Sequence, residues 1–270
     1  MYIQNLHTHT FYCDGADSPE EIILCAIKKG FSSIGFSGHS FNPYSEFFAK
    51  RGDKTAEYRE NVLMLKEKYK DRLDVFLGLE VEDCSPVDRS GYDYLIGGVH
   101  YLNVGDTYKL FDSNPERFRN MINEHFGGDG MRFAKAYYTA VSELPSKGDF
   151  DIIAHFDLIT KHIEKESFFD ITSKEYKTAA YEAIDALKGE IPFFEVNTGG
   201  IARGYRKMPY PMPDIIKEFK RQGFGVVITS DCHDKNMIDC KFDEAAELLK
   251  ECGYKEKYIL TKDGFFGVAI

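Results

Sequence analysis

Short β-favouring apolar runs alternate along this chain with stretches whose apolar positions recur every three to four residues. Seven such runs read as strands: Ile3 to Leu6, Ser33 to Phe36, Asp74 to Leu79, Tyr94 to Val99, Asp151 to Ala154, Phe193 to Val196 and Val226 to Thr229. The segments between them carry helix-start chemistry. Ser18-Pro19-Glu20-Glu21 offers an N-cap serine, a proline in the first turn and a glutamate reaching back, with Gly30 as the stop. Thr172-Ser173-Lys174-Glu175 repeats the capping-box pattern, while Asn114-Pro115-Glu116 and Pro213-Asp214 open two more helices. Between about Thr55 and Tyr69, Val62 and Leu65 share one face and Arg59, Lys66 and Lys70 stay wet. This βα rhythm predicts an α/β architecture with a parallel sheet or barrel. No linker, repeat or low-complexity tract divides the chain, so residues 1–270 are expected to form a single barrel domain.

The residues that follow the strands carry the chemistry. They are His7-Thr8-His9, His39, Glu80, His100, His155, Asn197 and Asp231-Cys232-His233, in strand order. In parallel α/β folds the C-terminal strand ends converge on one face, so these sequence-distant groups become neighbours. Alternate residues of an extended segment point the same way, which lets His7 and His9 reach one ion, and Asp231 and His233 likewise. Asp14, in the Cys13-Asp14-Gly15 loop, adds a carboxylate near the same rim. Imidazole and carboxylate without thiolate suit Zn, Mn, Fe or Co in a catalytic site. One His-x-His means little, and a lone strand-end histidine is usually a hydrogen-bonded core residue. The signal is the conjunction, since six of the eight histidines lie just past predicted strands. His125, at a helix end, and His162, beyond a loop, are read as surface or supporting positions. Cys232 is expected to point away from the ions.

Composition narrows the function. Lys+Arg 34 against Asp+Glu 44 gives a net charge of -10, which disfavours a surface built for nucleic acid and leaves small or cationic ligands. The six cysteines show no C-x-x-C spacing and are read as reduced thiols. The N-terminus lacks a basic region followed by an apolar stretch, and no apolar run approaches bilayer length, so a cytoplasmic protein without membrane contact is expected.

Taken in order, these motifs resemble the PHP (polymerase and histidinol phosphatase) superfamily. The likeness rests on His7-Thr-His9-Thr, Cys13-Asp-Gly15, Gly38-His39-Ser40, Gly78-Leu-Glu80-Val-Glu82, Gly97-Gly-Val-His100-Tyr, Ala154-His155-Phe156-Asp157, Glu195-Val-Asn197-Thr198 and Ser230-Asp231-Cys-His233. It implies a distorted TIM-like (βα)7 barrel with the metal site at the C-terminal strand ends, and three divalent ions. His7, His9, Glu80 and Asp231 would hold the first ion; Glu80, as a bridge, with His100 and His155 the second; Asp14, His39 and His233 the third. Chain length and the run Asn197-Thr198-Gly199-Gly200 followed by Tyr210-Pro211 resemble the monofunctional histidinol-phosphate phosphatase branch. There the family usually reads closer to Ser-Gly-Leu-Arg-Lys, whereas this chain has Gly199-Gly-Ile-Ala-Arg203, which leaves Arg203 and Arg206 both as phosphate candidates.

The resemblance implies hydrolysis of L-histidinol phosphate to L-histidinol and phosphate in histidine biosynthesis, by a hydroxide bridging two ions that share Glu80. Asp231 or His233 would supply the leaving-group proton. Arg117, Lys161, Arg203 and Arg206 are the rim cations expected near phosphate, with Tyr101, Glu82, Phe41 and Tyr44 as candidates around the amine and imidazole. Three ligand carboxylates against three divalent ions leave a local charge of about +3, so an acidic protein can still take a small phosphate ester. The competing readings are a PHP phosphoesterase for nucleotides or oligonucleotide ends, whose relatives often carry an insertion not visible here, and a non-catalytic PHP module. The full ligand set argues against the module. The sequence leaves oligomeric state and the resident metals open.

Overall fold

The computed structural model describes residues 2–85 and 87–270. Its strands, in chain order, are β1 (Gln4–Asn5), β2 (Ser33–Phe36), β3 (Asp74–Glu82), β4 (Tyr94–Gly98), β5 (Tyr101–Asn103), β6 (Tyr108–Leu110), β7 (Ile152–Ile153), β8 (Phe193–Asn197), β9 (Gly225–Thr229), β10 (Glu256–Thr261) and β11 (Gly264–Ala269). The helices are α1 (Pro19–Lys28), α2 (Glu46–Arg51), α3 (Thr55–Tyr69), α4 (Pro115–Phe126), α5 (Gly130–Ser142), α6 (Lys174–Leu187), α7 (Gly199–Ala202), α8 (Pro213–Gln222) and α9 (Phe242–Glu251). Seven strands pair in the order β1-β2-β3-β4-β7-β8-β9, and every pairing between them is parallel. A parallel bridge between Thr8 and Cys232, just beyond β1 and β9, brings the two edges together, giving a nearly closed TIM-like barrel wrapped by helices.

All seven expected barrel strands are present, with shifted ends. The main change is β3, which runs on to Glu82 and stays paired with β4 through Glu80, Val81 and Glu82. Glu80 is therefore held inside a strand rather than in a loop after it. Two hairpins fall outside the seven-strand reading. One, β5–β6, turns around Gly105 at φ +86, and the other, β10–β11, has Gly264 at φ +105. Helix starts follow their capping chemistry. Ser18 and Glu21 form the full capping box of α1. At α6 the cap is Ser173, bonded by Tyr176 N, so the expected box starting at Thr172 is displaced by one residue. Thr172 instead bonds Asp170.

Two apolar clusters result. The larger packs the helices against the outside of the sheet, while Leu6, Phe76, Tyr94, Ile96, Ile152, Val227 and Leu260 form a second one that includes the β10–β11 hairpin. Gln4 pins this hairpin through Nε2 to Leu260 O at 2.8 Å and through Oε1 from Leu260 N at 2.8 Å. Inside the barrel the fully buried Tyr94 donates to the carbonyls of Leu6 and Phe36. Gly35 and Gly78 make room for its ring, since a Cβ on either would lie 2.4 or 2.3 Å from Tyr94 atoms. Among the described residues, no helix is long and apolar enough to cross a membrane.

Candidate metal centre

The bridge that closes the barrel also builds the site. Cys232 N donates to His7 O at 3.0 Å and His9 N to Cys232 O at 2.8 Å. The pleat then sends Cys232 into the core and leaves His7, His9, Asp231 and His233 on the other side. Asp231 takes φ +47, a conformation uncommon for a non-glycine residue and found disproportionately at functional sites. A second parallel bridge pairs His39 with Glu80.

Glu80, 1 % exposed, is the hub. Its Oε2 lies 3.0 Å from His39 Nδ1, 3.2 Å from His7 Nε2 and 3.4 Å from His9 Nε2. The other oxygen, Oε1, is 3.0 Å from His155 Nε2 and 3.6 Å from His100 Nε2. Asp231 Oδ1 approaches His9 Nε2 at 3.2 Å and His7 Nε2 at 3.7 Å. Nearer the mouth, Asp14 Oδ2 is 3.2 Å from His233 Nε2 and 3.7 Å from His39 Nε2, and Asp14 Oδ1 is 3.3 Å from His9 Nδ1. All nine ligand candidates thus meet in one connected cluster.

The donor set suits divalent cations. His7 Nε2, His9 Nε2, His39 Nδ1 and Glu80 Oε2 are buried and have no hydrogen-bond partner among the described residues, although they face one another. Ligand atoms close enough to share an ion occur in the groups His7, His9, Glu80; Glu80, His100, His155; His39, Glu82, His100; and His9, Asp14, His39, His233. The field of the carboxylates draws positive charge. Burial would lower the His39 imidazole, yet Glu80 and Asp14 raise it to about 9; His100, likewise buried, is raised to about 10 by Glu82 and Glu80. Burial would raise Glu80, but His7, His39 and His100 hold it well below the carboxylate range. Once an ion displaced those protons, the imidazoles with these carboxylates would form an oxygen and nitrogen site for divalent metals.

Two carboxylates support the cluster from outside, and the sequence reading gave neither that role. Glu195, fully buried on β8, accepts from His7 Nδ1 (2.9 Å), His155 N (2.7 Å), Asn197 Nδ2 (2.7 Å) and Thr229 Oγ1 (2.7 Å). Bonding Nδ1 of His7 turns the Nε2 lone pair inward. The available signal was the alternation Glu195-Val196-Asn197, which puts both polar side chains on the barrel interior. Glu82, considered earlier only as a substrate contact, lies 2.9 Å from His100 Nδ1.

The expected substrate contacts separate. A cleft of about 480 Å³ opens over the cluster and is also lined by Lys161, His162, Arg203 and Tyr205. Arg203 Nη2 donates to Asp231 Oδ2 at 2.7 Å and Nη1 to His233 Nδ1 at 2.7 Å. Lys161 Nζ bonds Asp112 Oδ1 at 2.8 Å and sits 4.5 Å from the Tyr205 ring centre. Arg206 does not reach the cleft. It is buried, donates to Thr160 Oγ1 at 2.6 Å, lies 3.7 Å from Asp157 Oδ1 and stacks on Tyr210. Arg117, with Tyr101 and Tyr44, lines a neighbouring depression and pairs with Glu46 at 3.4 Å. Phe41 is 39 % exposed and lines none of these cavities. His125 lines the Arg117 depression, and His162 Nε2 donates to Ser113 O at 2.7 Å.

Residues 5–199 match the family model described as PHP domain. A probable histidinol-phosphatase of Deinococcus radiodurans is 27% identical over 260 residues, covering 92% of each chain. The histidinol-phosphatase of Bacillus subtilis is 23% identical over 265 residues, 89% of this chain and 97% of that one. The crystal structure of histidinol phosphate phosphatase from Lactococcus lactis, complexed with zinc, L-histidinol and phosphate, superposes with a TM-score of 0.70 at 17% identity and covers 97% of this chain and 98% of that one. At that identity the likeness speaks for the fold.

Proposed function

The chain belongs to the PHP domain family, and from that premise we propose that it is a metal-dependent phosphatase that hydrolyses L-histidinol phosphate to L-histidinol and phosphate. The observation that carries this reading is the cluster around Glu80, which keeps every ligand type a phosphoesterase centre needs and opens onto a cleft with cations on its wall. The relatives named histidinol-phosphatase, matched over about nine-tenths of this chain, support the substrate.

His7, His9, Glu80 and Asp231 would hold one divalent ion, Glu80, His100 and His155 a second, and Asp14, His39 and His233 a third. When bound, such ions supply Lewis acidity and a water acidified from about 15.7 towards neutrality. Arg203, tied to Asp231 and His233 through its two Nη atoms, sets a positive charge beside the cluster where a phosphate would lie. Lys161 adds a second positive charge on the same wall. Cleavage of the P–O bond leaves an alkoxide that takes a proton; Asp231, held ionised against its burial by Arg203 and His7, has none to give, which leaves His233, nearer the mouth, as the donor. Glu195 keeps His7 in the tautomer that offers Nε2 inward.

The test is phosphate release from L-histidinol phosphate by protein stripped of metal and reloaded with Zn or Mn. Turnover that disappears on stripping and returns on reloading is expected. A reloaded protein that leaves this ester intact while cleaving another phosphomonoester overturns the reading.

A further inference from the structure

Another cavity lies at the end of the barrel away from the ligand cluster. It measures about 330 Å³ and is enclosed by α9, the β10–β11 hairpin and Ile3, which precedes β1. Ile3, Phe242, Ala246 and Ala269 give it an apolar wall, and Lys257 of β10 lines it as well. Lys257 is 9 % exposed, yet among the described residues its ammonium has no hydrogen bond and no carboxylate within ion-pair distance. Burial pulls it below the ordinary lysine pKa, and only the exposed Asp243 acts the other way. An ammonium withdrawn from water without a partner is costly, and a counter-charge inside the cavity offsets that cost.

The first turn of α9 faces the same space. Lys241, at its N-cap, makes no side-chain cap bond, and Asp243 N has no partner among the described residues. The helix therefore brings an uncapped, electropositive end to the cavity that Lys257 lines from the hairpin. Most carboxylates on the rim are already engaged: Asp239 pairs with Lys29, Glu244 with Lys241 and Glu247 with Lys250. The charge left uncompensated inside is that of Lys257.

We propose that this cavity binds a small organic monocarboxylate, its oxygens taken by Lys257 and the first turn of α9 and its hydrocarbon body laid against Ile3, Phe242 and Ala246. One buried cation, backbone donors and an apolar wall fit a single negative charge on an apolar body. A phosphate would bring further charge and oxygens towards Asp243 and the apolar wall, where nothing donates to them. The inference stands apart from the histidinol phosphate reading, because none of the lining residues belongs to the cluster or its cleft.

Lys257→Met keeps the length of the stem and removes the charge. Ala246→Phe fills the cavity from α9 and leaves Lys257 in place, so it tests the site even if the first variant folds poorly. Isovalerate, phenylacetate and, as the cationic counterpart, isoamylamine are titrated into metal-loaded wild type and both variants by calorimetry, with circular dichroism and metal content checked in every sample. The expected result is saturable binding of at least one carboxylate to wild type with a Kd of about 1 mM or tighter, weakened about tenfold or more in each folded variant, and no saturation by the amine. A carboxylate held by the metal ions instead would bind wild type and variants alike. That outcome, saturation by the amine in place of the carboxylates, or no saturable binding of either carboxylate to wild type overturns the proposal.

Discussion

Glu80 spreads its two oxygens over five imidazoles, which is why single substitutions in this cluster should separate chemistry from folding. Asp231→Asn keeps the shape but removes the charge that both His9 and Arg203 face. Turnover should fall by about a hundredfold or more while circular dichroism stays unchanged, and unaltered turnover would contradict the assignment. Glu195→Gln puts an amide donor where four donors already converge, so metal affinity should drop by roughly 10–100-fold, read by competition with a chromophoric chelator. Asp83 offers a pH test on a carboxyl that is not itself a ligand candidate. Burial and then Glu82 raise its carboxyl to about 7, so the folded chain takes up a proton there that the unfolded chain releases near pH 4. Stability should therefore decline as pH rises from about 4 through 7. Asp83→Asn should flatten that decline and stabilise the protein at pH 8 by up to a few kcal/mol, each unit being worth about 1.4 kcal/mol, with the gain vanishing near pH 4 in denaturant titrations. That the nine ligand candidates would meet was legible because strand ends share a face in this class of fold. Glu195 lies two residues before the strand-end position Asn197, inside a strand, and received no role. Arg206 is expected at the rim with the other cations, but sequence position does not fix exposure, and here Asp157 and Tyr210 hold the side chain inside.

At the level of elements, the barrel strands were readable because each is a short apolar run bounded by helix signals. What the pattern could not supply was where a strand stops when the next residues are polar and still paired, as with Glu80 and Glu82 on β3. The two hairpins were missed for a related reason. Their alternation is weak, and β11 is only partly buried, so hydrophobic periodicity had little to report. Packing between elements yields its own prediction. Gly78 sits opposite Tyr94 in the β3–β4 register, and Tyr58 bonds its carbonyl at 2.7 Å. Gly78→Ala should push the Tyr94 ring against the barrel wall and cost about 1–3 kcal/mol or more, seen as a lower denaturant midpoint with the slope unchanged. Tyr94→Phe, which removes only the hydroxyl, should cost less than the alanine insertion and leave metal content intact.

Over the whole molecule, the barrel is stoppered by the C-terminal hairpin beneath β1 and β9, and the ligand cluster lies where those two edges meet at the other end. Closure of the barrel and assembly of the site are thus one event: the bridge between Thr8 and Cys232 that completes the wall sets four of the nine ligand candidates. Metal binding should accordingly stabilise the fold, and chelation should lower the melting temperature reversibly, by an amount that grows with the free metal concentration restored. The net charge of -10 does not oppose an anionic ester, because the charge that would matter is local to any bound ions and the Arg203 wall. The most direct test of the account is kcat/KM for L-histidinol phosphate, measured with metal-loaded protein beside glycerol phosphate, a sugar phosphate and a nucleoside monophosphate. The account predicts that L-histidinol phosphate exceeds the others by about a hundredfold or more. Efficient release of phosphate from any of the others, with none from L-histidinol phosphate, would contradict it.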